Sequence, residues 1–178
     1  MRTKKNWNKV CIIGGSGTGK TTLTKNLGKE LNLPVYHIDG IHHLKNWKIR
    51  DKDERDQIIG EIIQKKKWII DGTYRSTLEQ RVKEADIIIC LDYSSFAQIK
   101  GVVFRYIKNR GKEKEEIPGC REKLTLKFLF WVLNWRRTRR NDIMELLNKI
   151  DSNKIYRFKN RRQLNKWYEE MFNKKILL

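Results

Sequence analysis

The chain has 178 residues, of which 39% are hydrophobic and 34% are charged, a composition typical of a folded domain rather than a disordered segment. Its most apolar stretch, residues 128–133, is far shorter than the roughly 20 residues that cross a bilayer. Residues 1–5 lack the apolar region of a signal peptide. These features argue against a membrane-spanning protein, and we expect a cytoplasmic one.

Lysine and arginine outnumber aspartate and glutamate by 40 to 21, which gives a net charge of +19. A positive surface attracts polyanions, so nucleic acid has to be considered as a partner, but the same surface suits an enzyme whose ligands are phosphates. The three cysteines show neither a disulfide framework nor the paired spacing of a zinc site. They suit a reducing compartment.

Apolar runs alternate with helical periodicity along the chain. Strands are predicted at residues 10–13, 34–38, 68–70, 86–91 and 154–158. Helices are predicted at 19–31, from an N-cap at Asp53 to Ile63, and at 95–108, 121–135, 138–150 and 161–172. This order predicts an α/β fold with a parallel sheet covered by helices on both faces. Ligands of such folds bind beyond the carboxyl ends of the strands, which directs attention to Gly14, Asp39, Asp71 and Asp92.

Residues 14–21, GGSGTGKT, match the phosphate-binding pattern G-x-x-x-x-G-K-[ST] between a predicted strand and a predicted helix. The glycines let main-chain N–H groups point at phosphate oxygens, and the helix N-terminus adds partial positive charge. Lys20 is expected to reach the β- and γ-phosphates of ATP, and the Thr21 hydroxyl to bind Mg²⁺. The expected nucleotide-binding residues are Gly14, Gly15, Ser16, Gly17, Thr18, Gly19, Lys20, Thr21 and Thr22.

A carboxylate at the end of a neighbouring strand is expected to complete the magnesium site. Asp71 and Asp92 both qualify, since each follows an apolar run. We favour Asp71 as a metal-site and catalytic residue, because Gly72 allows close approach of a ligand and Arg75 can pair with a phosphate. Asp92 is expected to be a helix N-cap or a turn residue.

Asp39 follows the second predicted strand and is expected to face the phosphoryl acceptor. It is either a general base for an acceptor hydroxyl or a hydrogen-bonding group that holds the acceptor. His37 is expected to be a hydrogen-bonded core residue, with His42 and His43 lining the acceptor pocket. The histidines have no paired cysteines or carboxylates at ligand spacing, so the pattern does not indicate a metal centre.

Basic residues cluster near the ends of two predicted helices, and guanidinium groups stabilise the charge of a phosphoryl group in transfer. The candidates for phosphate contact are Arg105, Arg110, Arg137 and Arg140, and those taken as catalytic are Arg105, Arg137 and Arg140. The charged segment 108–118 is expected to be a mobile loop in a lid spanning about residues 105–140. The alternative for these charges is a solvated basic surface.

Five apolar residues between positions 124 and 135 recur at helical spacing: Leu124, Phe128, Trp131, Val132 and Trp135. This stripe predicts core packing rather than a platform on which nucleic-acid bases stack.

The order of these motifs resembles that of the bacterial topology modulation proteins, which are similar to adenylate kinase and other nucleoside monophosphate kinases. The resemblance covers nearly the whole chain, and its later motifs are VYHID at 35–39, WIIDGTY at 68–74 and FLFWV at 128–132. It implies one P-loop kinase-like domain over residues 1–178, with a five-stranded parallel sheet, a small helical lid, and binding of ATP and Mg²⁺.

Residues 71–75, DGTYR, stand where adenylate kinases have Asp-Gly-Phe-Pro-Arg. The resemblance therefore implies a magnesium-site role for Asp71 and contact between Arg75 and an acceptor phosphate. Thr73 and Tyr74 replace Phe-Pro, and residues 39–47 lack the usual AMP-site pattern, so the chain departs from adenylate kinase where AMP is recognised.

The favoured function is an ATP-dependent phosphotransferase that acts on a small nucleotide or nucleoside-like acceptor. One alternative is a nucleic-acid-associated ATPase or regulator of DNA topology, and another is a protein that binds nucleotide without turnover. The sequence has no recognisable DNA-binding helix pair, RNA-binding motif or second domain, which weighs against a nucleic-acid partner.

Overall fold

A computed structural model describes residues 7–176. The expectation about a signal peptide rests on residues 1–5, which lie outside the described residues. Within residues 7–176 the main sheet has five parallel strands in the order β2-β3-β1-β4-β7. Their bounds are β1 Lys9–Gly14, β2 Val35–His37, β3 Trp68–Asp71, β4 Ile87–Leu91 and β7 Ile155–Phe158. The predicted α/β fold with a five-stranded parallel sheet is confirmed.

The α-helices connect these strands and cover the sheet. Their bounds are α1 Lys20–Leu31, α2 Ile38–His42, α3 Lys52–Ile63, α4 Arg75–Glu84, α5 Ser95–Asn109, α6 Leu126–Thr138, α7 Arg140–Leu147 and α8 Arg161–Phe172. A two-stranded antiparallel hairpin, β5 Glu113–Lys114 and β6 Ile117–Arg121, stands apart from the main sheet. In the described part of the chain, every helix is too short or too polar to span a membrane.

Alternation along the strands gives the sheet two apolar faces. Ile12 of β1 belongs to a buried cluster with Leu23 of α1 and Trp167 of α8. Ile13, the next residue, belongs to the opposite cluster with Ile59 of α3. Successive side chains of a strand point to opposite faces, so a strand such as β1, which is apolar at consecutive positions, becomes the central strand covered on both faces. The prediction of helices on both faces is therefore confirmed.

Two predicted boundaries are wrong at the start of helices. Asp51, rather than Asp53, caps α3, because its carboxylate accepts hydrogen bonds from the N–H groups of Asp53 at 2.8 Å and Glu54 at 3.2 Å. The second predicted strand extended to Ile38, but the chain turns into α2 at that residue. Asp39 consequently lies in the first turn of a short helix instead of directly after a strand.

Residues 108–118 are not simply a loop. They include the end of α5, strand β5 and the start of β6, and the residues from 121 to 125 precede α6 instead of belonging to it. The hairpin contacts the segment after α2, since the Trp47 indole N–H donates to the Arg121 carbonyl at 3.2 Å. Lys25 of α1 also reaches Glu115 in the hairpin turn at 2.6 Å.

The aromatic stripe of α6 is split between the core and a cleft. Val132 and Trp135 are buried, as predicted, whereas Trp131 is 44% exposed. The helix covers the sheet with one face only, so residues at neighbouring positions point away from the core. The cysteines Cys11, Cys90 and Cys120 are buried free thiols.

Candidate active site

The predicted phosphate-binding loop joins β1 to α1 and is enclosed by α5. Its Gly17 has φ of 74°, and a Cβ there would come within 2.3 Å of the Gln98 carbonyl oxygen. A Cβ on Gly101 of α5 would come within 2.0 Å of the Gly17 carbonyl oxygen. The two glycines thus let the helix backbone lie directly against the loop backbone, which fixes the loop without bulky side chains.

Two side chains inside the loop stabilise its shape. The Thr18 hydroxyl donates to the Gly15 carbonyl at 2.9 Å, and the Lys20 ammonium donates to the same carbonyl at 2.8 Å. Burial lowers the pKa of Lys20, although the nearby carboxylates of Asp39 and Asp71 act in the opposite direction. A phosphate near this ammonium would favour its charged form, as the chemistry of such loops requires.

Asp71 ends β3, on one side of the strand that leads into the phosphate-binding loop. It is 4% exposed, and its Oδ2 accepts hydrogen bonds from the Thr24 hydroxyl at 2.8 Å and from His37 Nδ1 at 2.9 Å. Burial disfavours the charged imidazole, but the hydrogen bond and charge of Asp71 outweigh it, and the pKa of His37 is raised. His37 is therefore hydrogen-bonded, as predicted, with Asp71 as its partner.

Two clefts meet at the phosphate-binding loop. The first, here called the P-loop cleft, measures about 220 Å³ and is lined by the loop residues Ser16–Thr22 except Thr18, by Asp71, and by residues of α5 and α8 that include Phe104, Arg105 and Arg161. The second, here called the side cleft, measures about 400 Å³. It is lined by Lys52, Arg55, Gly72–Ser76, Trp131, Trp135 and Arg139. Ser16, Lys20 and Asp39 line both clefts and mark their junction.

Asp39 lies at this junction and is exposed. Burial raises the pKa of Tyr74, and the charge of Asp39 adds to that effect. The phenol therefore keeps its proton, and Tyr74 lines the side cleft together with Asp39. The Tyr74 ring packs against His42 at 4.6 Å and beneath the Arg55 guanidinium at 5.2 Å. His42 and His43, which were predicted to line the acceptor pocket, are not among the residues that line the side cleft.

The predicted arginines have different surroundings. Arg105 lines the P-loop cleft and pairs with Glu122 at 2.9 Å. Arg137 and Arg110 are exposed and line neither cleft. Arg75 lines the side cleft but pairs with Asp142 of α7. Arg105 and Arg75, which were predicted to contact phosphate, therefore line the clefts. Arg137, predicted to do the same, lines neither cleft.

Arg140 is held away from both clefts by Asp92. Asp92 directly follows β4 and is 5% exposed. It contacts three guanidinium groups, those of Arg136 at 3.0 Å, Arg140 at 2.8 Å and Arg157 at 3.1 Å. Burial opposes its charge, but the hydrogen bonds from Arg140 and Arg157 hold its pKa below the usual range. The N-cap role predicted for Asp92 is wrong, since the Ser94 side chain caps α5. Asp92 lies in the connection between β4 and α5.

Arg139 is the arginine that sequence reasoning missed. It lies between α6 and α7 with φ of −128°, outside helical geometry, and it lines the side cleft together with Gly14, Ser16 and Lys20. The break between the two helices turns Arg139 toward the loop while its neighbours Arg137 and Arg140 point to solvent and to Asp92. Four arginines stand between positions 136 and 140, and their sequence alone contains no signal that separates them.

Comparisons with known proteins agree with this fold. Residues 10–92 match the family model described as ATPase family associated with various cellular activities (AAA). A gluconokinase from Sinorhizobium meliloti 1021 is 14% identical with a TM-score of 0.53, covering 93% of this chain and 90% of its own. A shikimate kinase from Bacteroides thetaiotaomicron is 15% identical with a TM-score of 0.53, covering 94% of this chain and 99% of its own. At these identities the likeness shows the P-loop fold of such kinases.

A further sequence match is local. A 4-hydroxy-3-methylbut-2-enyl diphosphate reductase from Nostoc punctiforme is 33% identical over 67 residues, which are 38% of this chain and 16% of that protein. The chain thus spans about a sixth of the curated relative that it matches. The resemblance to topology modulation proteins is not confirmed by these comparisons.

Proposed function

We propose that this protein is an ATP-dependent phosphotransferase that acts on a small nucleotide or nucleoside-like acceptor. The observation that carries the proposal is the junction of the two clefts at Ser16, Lys20 and Asp39. A nucleotide bound in the P-loop cleft would present its terminal phosphate at Lys20, and an acceptor in the side cleft would approach the same point. Phosphoryl transfer needs this alignment more than any covalent chemistry from the protein.

The donor groups in the P-loop cleft fit a nucleotide with Mg²⁺. Thr21 offers a hydroxyl and Asp71 a carboxylate, the oxygen ligands that Mg²⁺ uses alongside phosphate oxygens and water. The hydrogen bonds from Thr24 and His37 fix the Asp71 carboxylate in one orientation. When bound, the metal ion neutralises charge that develops on the phosphates.

Cationic side chains converge on the region where charge would be transferred. Lys20 belongs to the loop, and Arg139 reaches the same region from the side cleft. Arg105 enters from α5 on the opposite side. Preorganised donors of this kind stabilise a transition state more than a ground state, because they need no rearrangement as charge develops. We assign this role to Lys20, Arg139 and Arg105.

The side cleft suits an acceptor that combines a ring with polar groups. Trp131 presents a partly exposed indole on which a base or another ring can lie. Asp39, which lines the side cleft together with Tyr74, is placed to accept a hydrogen bond or a proton from an acceptor hydroxyl. Arg75 would bind an acceptor phosphate if it left Asp142.

The same proposal takes the chain as one P-loop kinase-like domain in which about residues 105–140 form the lid. Lys25 of α1 and Trp47 both contact the β5–β6 hairpin. These contacts support the proposal that the hairpin belongs to a lid lying over α1. Membership of the topology modulation family is part of the proposal and rests on the later sequence motifs.

The decisive experiment measures transfer of labelled γ-phosphate from ATP to a panel of nucleosides, nucleoside monophosphates and small sugar acids, with a parallel assay of ATP consumption on duplex DNA. We expect one class of small acceptor to be phosphorylated in the presence of Mg²⁺, and Lys20→Ala to abolish transfer while the protein stays folded. ATP consumption only with DNA would favour the nucleic-acid alternative. Nucleotide binding with no turnover on any substrate would contradict the proposal.

A further inference from the structure

Arg81 of α4 is a charged side chain enclosed by the protein interior. It is 0% exposed and ranks among the largest fully buried side chains. Within residues 7–176 its guanidinium makes no ion pair with a carboxylate and its Nε has no hydrogen-bond partner. Burial lowers the pKa of Arg81, as expected for a charge that has lost its hydration. A buried charge of this kind is costly, so the contacts that it does make need an explanation.

Besides a contact of Arg81 Nη1 with the Cys11 thiol of β1 at 3.9 Å, its hydrogen bonds converge on one short loop. Arg81 Nη1 donates to the Gly72 carbonyl at 2.9 Å, and Nη2 donates to the Tyr74 carbonyl at 3.0 Å. The planar guanidinium therefore bridges two carbonyls two residues apart, which a lysine ammonium cannot do in the same geometry. Gly72 has φ of 128°, so the loop starts in a conformation that side chains rarely adopt.

The bridged loop connects the phosphate-binding loop to the side cleft. The Thr73 hydroxyl donates to the Gly14 carbonyl at 3.0 Å and accepts from the Gly14 N–H at 3.2 Å. Tyr74, the next residue, lines the side cleft together with Asp39 at the junction of the clefts. A shift in this loop would therefore move both sides of the site at once.

We propose that Arg81 is a positioning residue, which holds the Gly72–Tyr74 loop so that Thr73 and Tyr74 keep the two clefts aligned. The expected effect on the rate of transfer rests on the proposed function. The expected effect on the order of the Gly72–Tyr74 loop does not depend on it. Arg81 touches neither cleft, so its loss should affect transfer through the loop and leave the nucleotide contacts of the P-loop cleft in place.

Arg81→Met keeps an unbranched, apolar side chain but removes both donors, and Arg81→Lys keeps the charge on a single ammonium group. Lys83→Met is the matched control, because it removes a charge from the same helix at a side chain that is 64% exposed. Hydrogen exchange is measured on peptides covering residues 72–76 and, as a reference, β4. We expect exchange at 72–76 to rise at least tenfold in Arg81→Met, to rise less in Arg81→Lys, and to stay unchanged in Lys83→Met, with β4 unaffected.

Activity gives the second readout. Arg81→Met is expected to lower the rate constant of transfer at least tenfold while the dissociation constant for Mg-ATP changes less than twofold. Unchanged exchange at 72–76, or faster exchange spread equally over β4, would overturn the inference, as would full transfer activity in Arg81→Met. If Arg81→Met does not fold, Arg81→Gln is judged by the same criteria. A wild-type protein that transfers to no acceptor would contradict the proposed function, whereas the exchange result decides the role of Arg81 by itself.

Discussion

Two carboxylates lie at the carboxyl ends of the two strands that flank β1, yet their surroundings are opposite. Asp71 at the end of β3 is held by one hydroxyl and one imidazole and lines the P-loop cleft. Asp92, directly after β4, is surrounded by three guanidinium groups and lines neither of the two clefts. The first keeps its negative charge available to a cation from solution, and the second has its charge more than neutralised by the protein.

Position at the carboxyl edge of the sheet therefore does not by itself make a residue a ligand-binding one. The cations around Asp92 come from the α6–α7 segment and from β7, so this carboxylate ties distant parts of the chain to the sheet. Asp71 is bonded to one hydroxyl and one imidazole, and among the described residues no guanidinium group pairs with it. We therefore assign the metal site to Asp71 and a structural role to Asp92, and the same substitution at both positions tests that division.

The largest effect is expected for Asp71→Asn. The asparagine keeps the size of the side chain but removes the charge that would bind Mg²⁺ beside Thr21, so transfer should fall about 100- to 1,000-fold. Thermal unfolding should change little by comparison, since the partners Thr24 and His37 can still bond the amide. Steady-state transfer assays over a range of Mg²⁺ concentrations measure the effect. Activity within a few-fold of wild type would place the metal site elsewhere.

Asp92→Asn is expected to act mainly on stability. Removing one partner of a buried charge pair costs about 3–5 kcal/mol, and partial exposure of the three arginines reduces this to about 2–3 kcal/mol. For a protein of this size, that is a fall in melting temperature of about 5–10 °C. Urea unfolding gives the free energy, and transfer per folded molecule should remain near wild type. A loss of transfer without a loss of stability would reverse the two assignments.

These contrasts show how far the sequence could predict the molecule. The strands were predictable because runs such as residues 68–70 and 87–91 are apolar at consecutive positions. The phosphate-binding loop was predictable because its pattern lies within the eight consecutive residues 14–21. Asp92 could not be assigned, because its partner Arg157 is 65 residues away and nothing near Asp92 indicates it. Likewise Ile38, apolar like the strand before it, enters α2, so the helical position of Asp39 depends on tertiary packing.

Arg139→Gln tests whether the arginines, like the two aspartates, divide into residues that act at the site and residues that do not. Arg139 lines the side cleft next to Lys20, so its loss should reduce transfer about 10- to 100-fold. Arg137→Gln is the matched control two residues away, and we expect it to change neither transfer nor stability, because Arg137 is exposed and lines neither cleft. Transfer rates and nucleotide dissociation constants are measured for both variants. Equal losses in the two would show that this segment acts only through its overall charge.

The smallest expected effect is a dependence of the free energy of unfolding on pH. It has opposite signs for Asp92 and for His37, the partner of Asp71. The pKa of Asp92 is lowered by its arginines, so the stability it contributes is complete above the unfolded value of about 3.9 and is lost as the pH falls through the folded value. The pKa of His37, which pairs with Asp71, is raised. Its contribution is therefore complete below the unfolded value of about 6.5 and is lost as the pH rises through the folded value.

Urea unfolding of wild type, Asp92→Asn and His37→Ala between pH 3 and pH 8 measures both trends. The difference between wild type and Asp92→Asn should stay constant from pH 7 to about 5 and narrow from about pH 4 downward. The difference between wild type and His37→Ala should instead be largest near pH 6 and narrow toward pH 8. Suppose that both differences in the free energy of unfolding narrowed toward the same end of the pH range. Asp71 and Asp92 would then have the same kind of partner, which would contradict the division into a metal-site aspartate and a structural one.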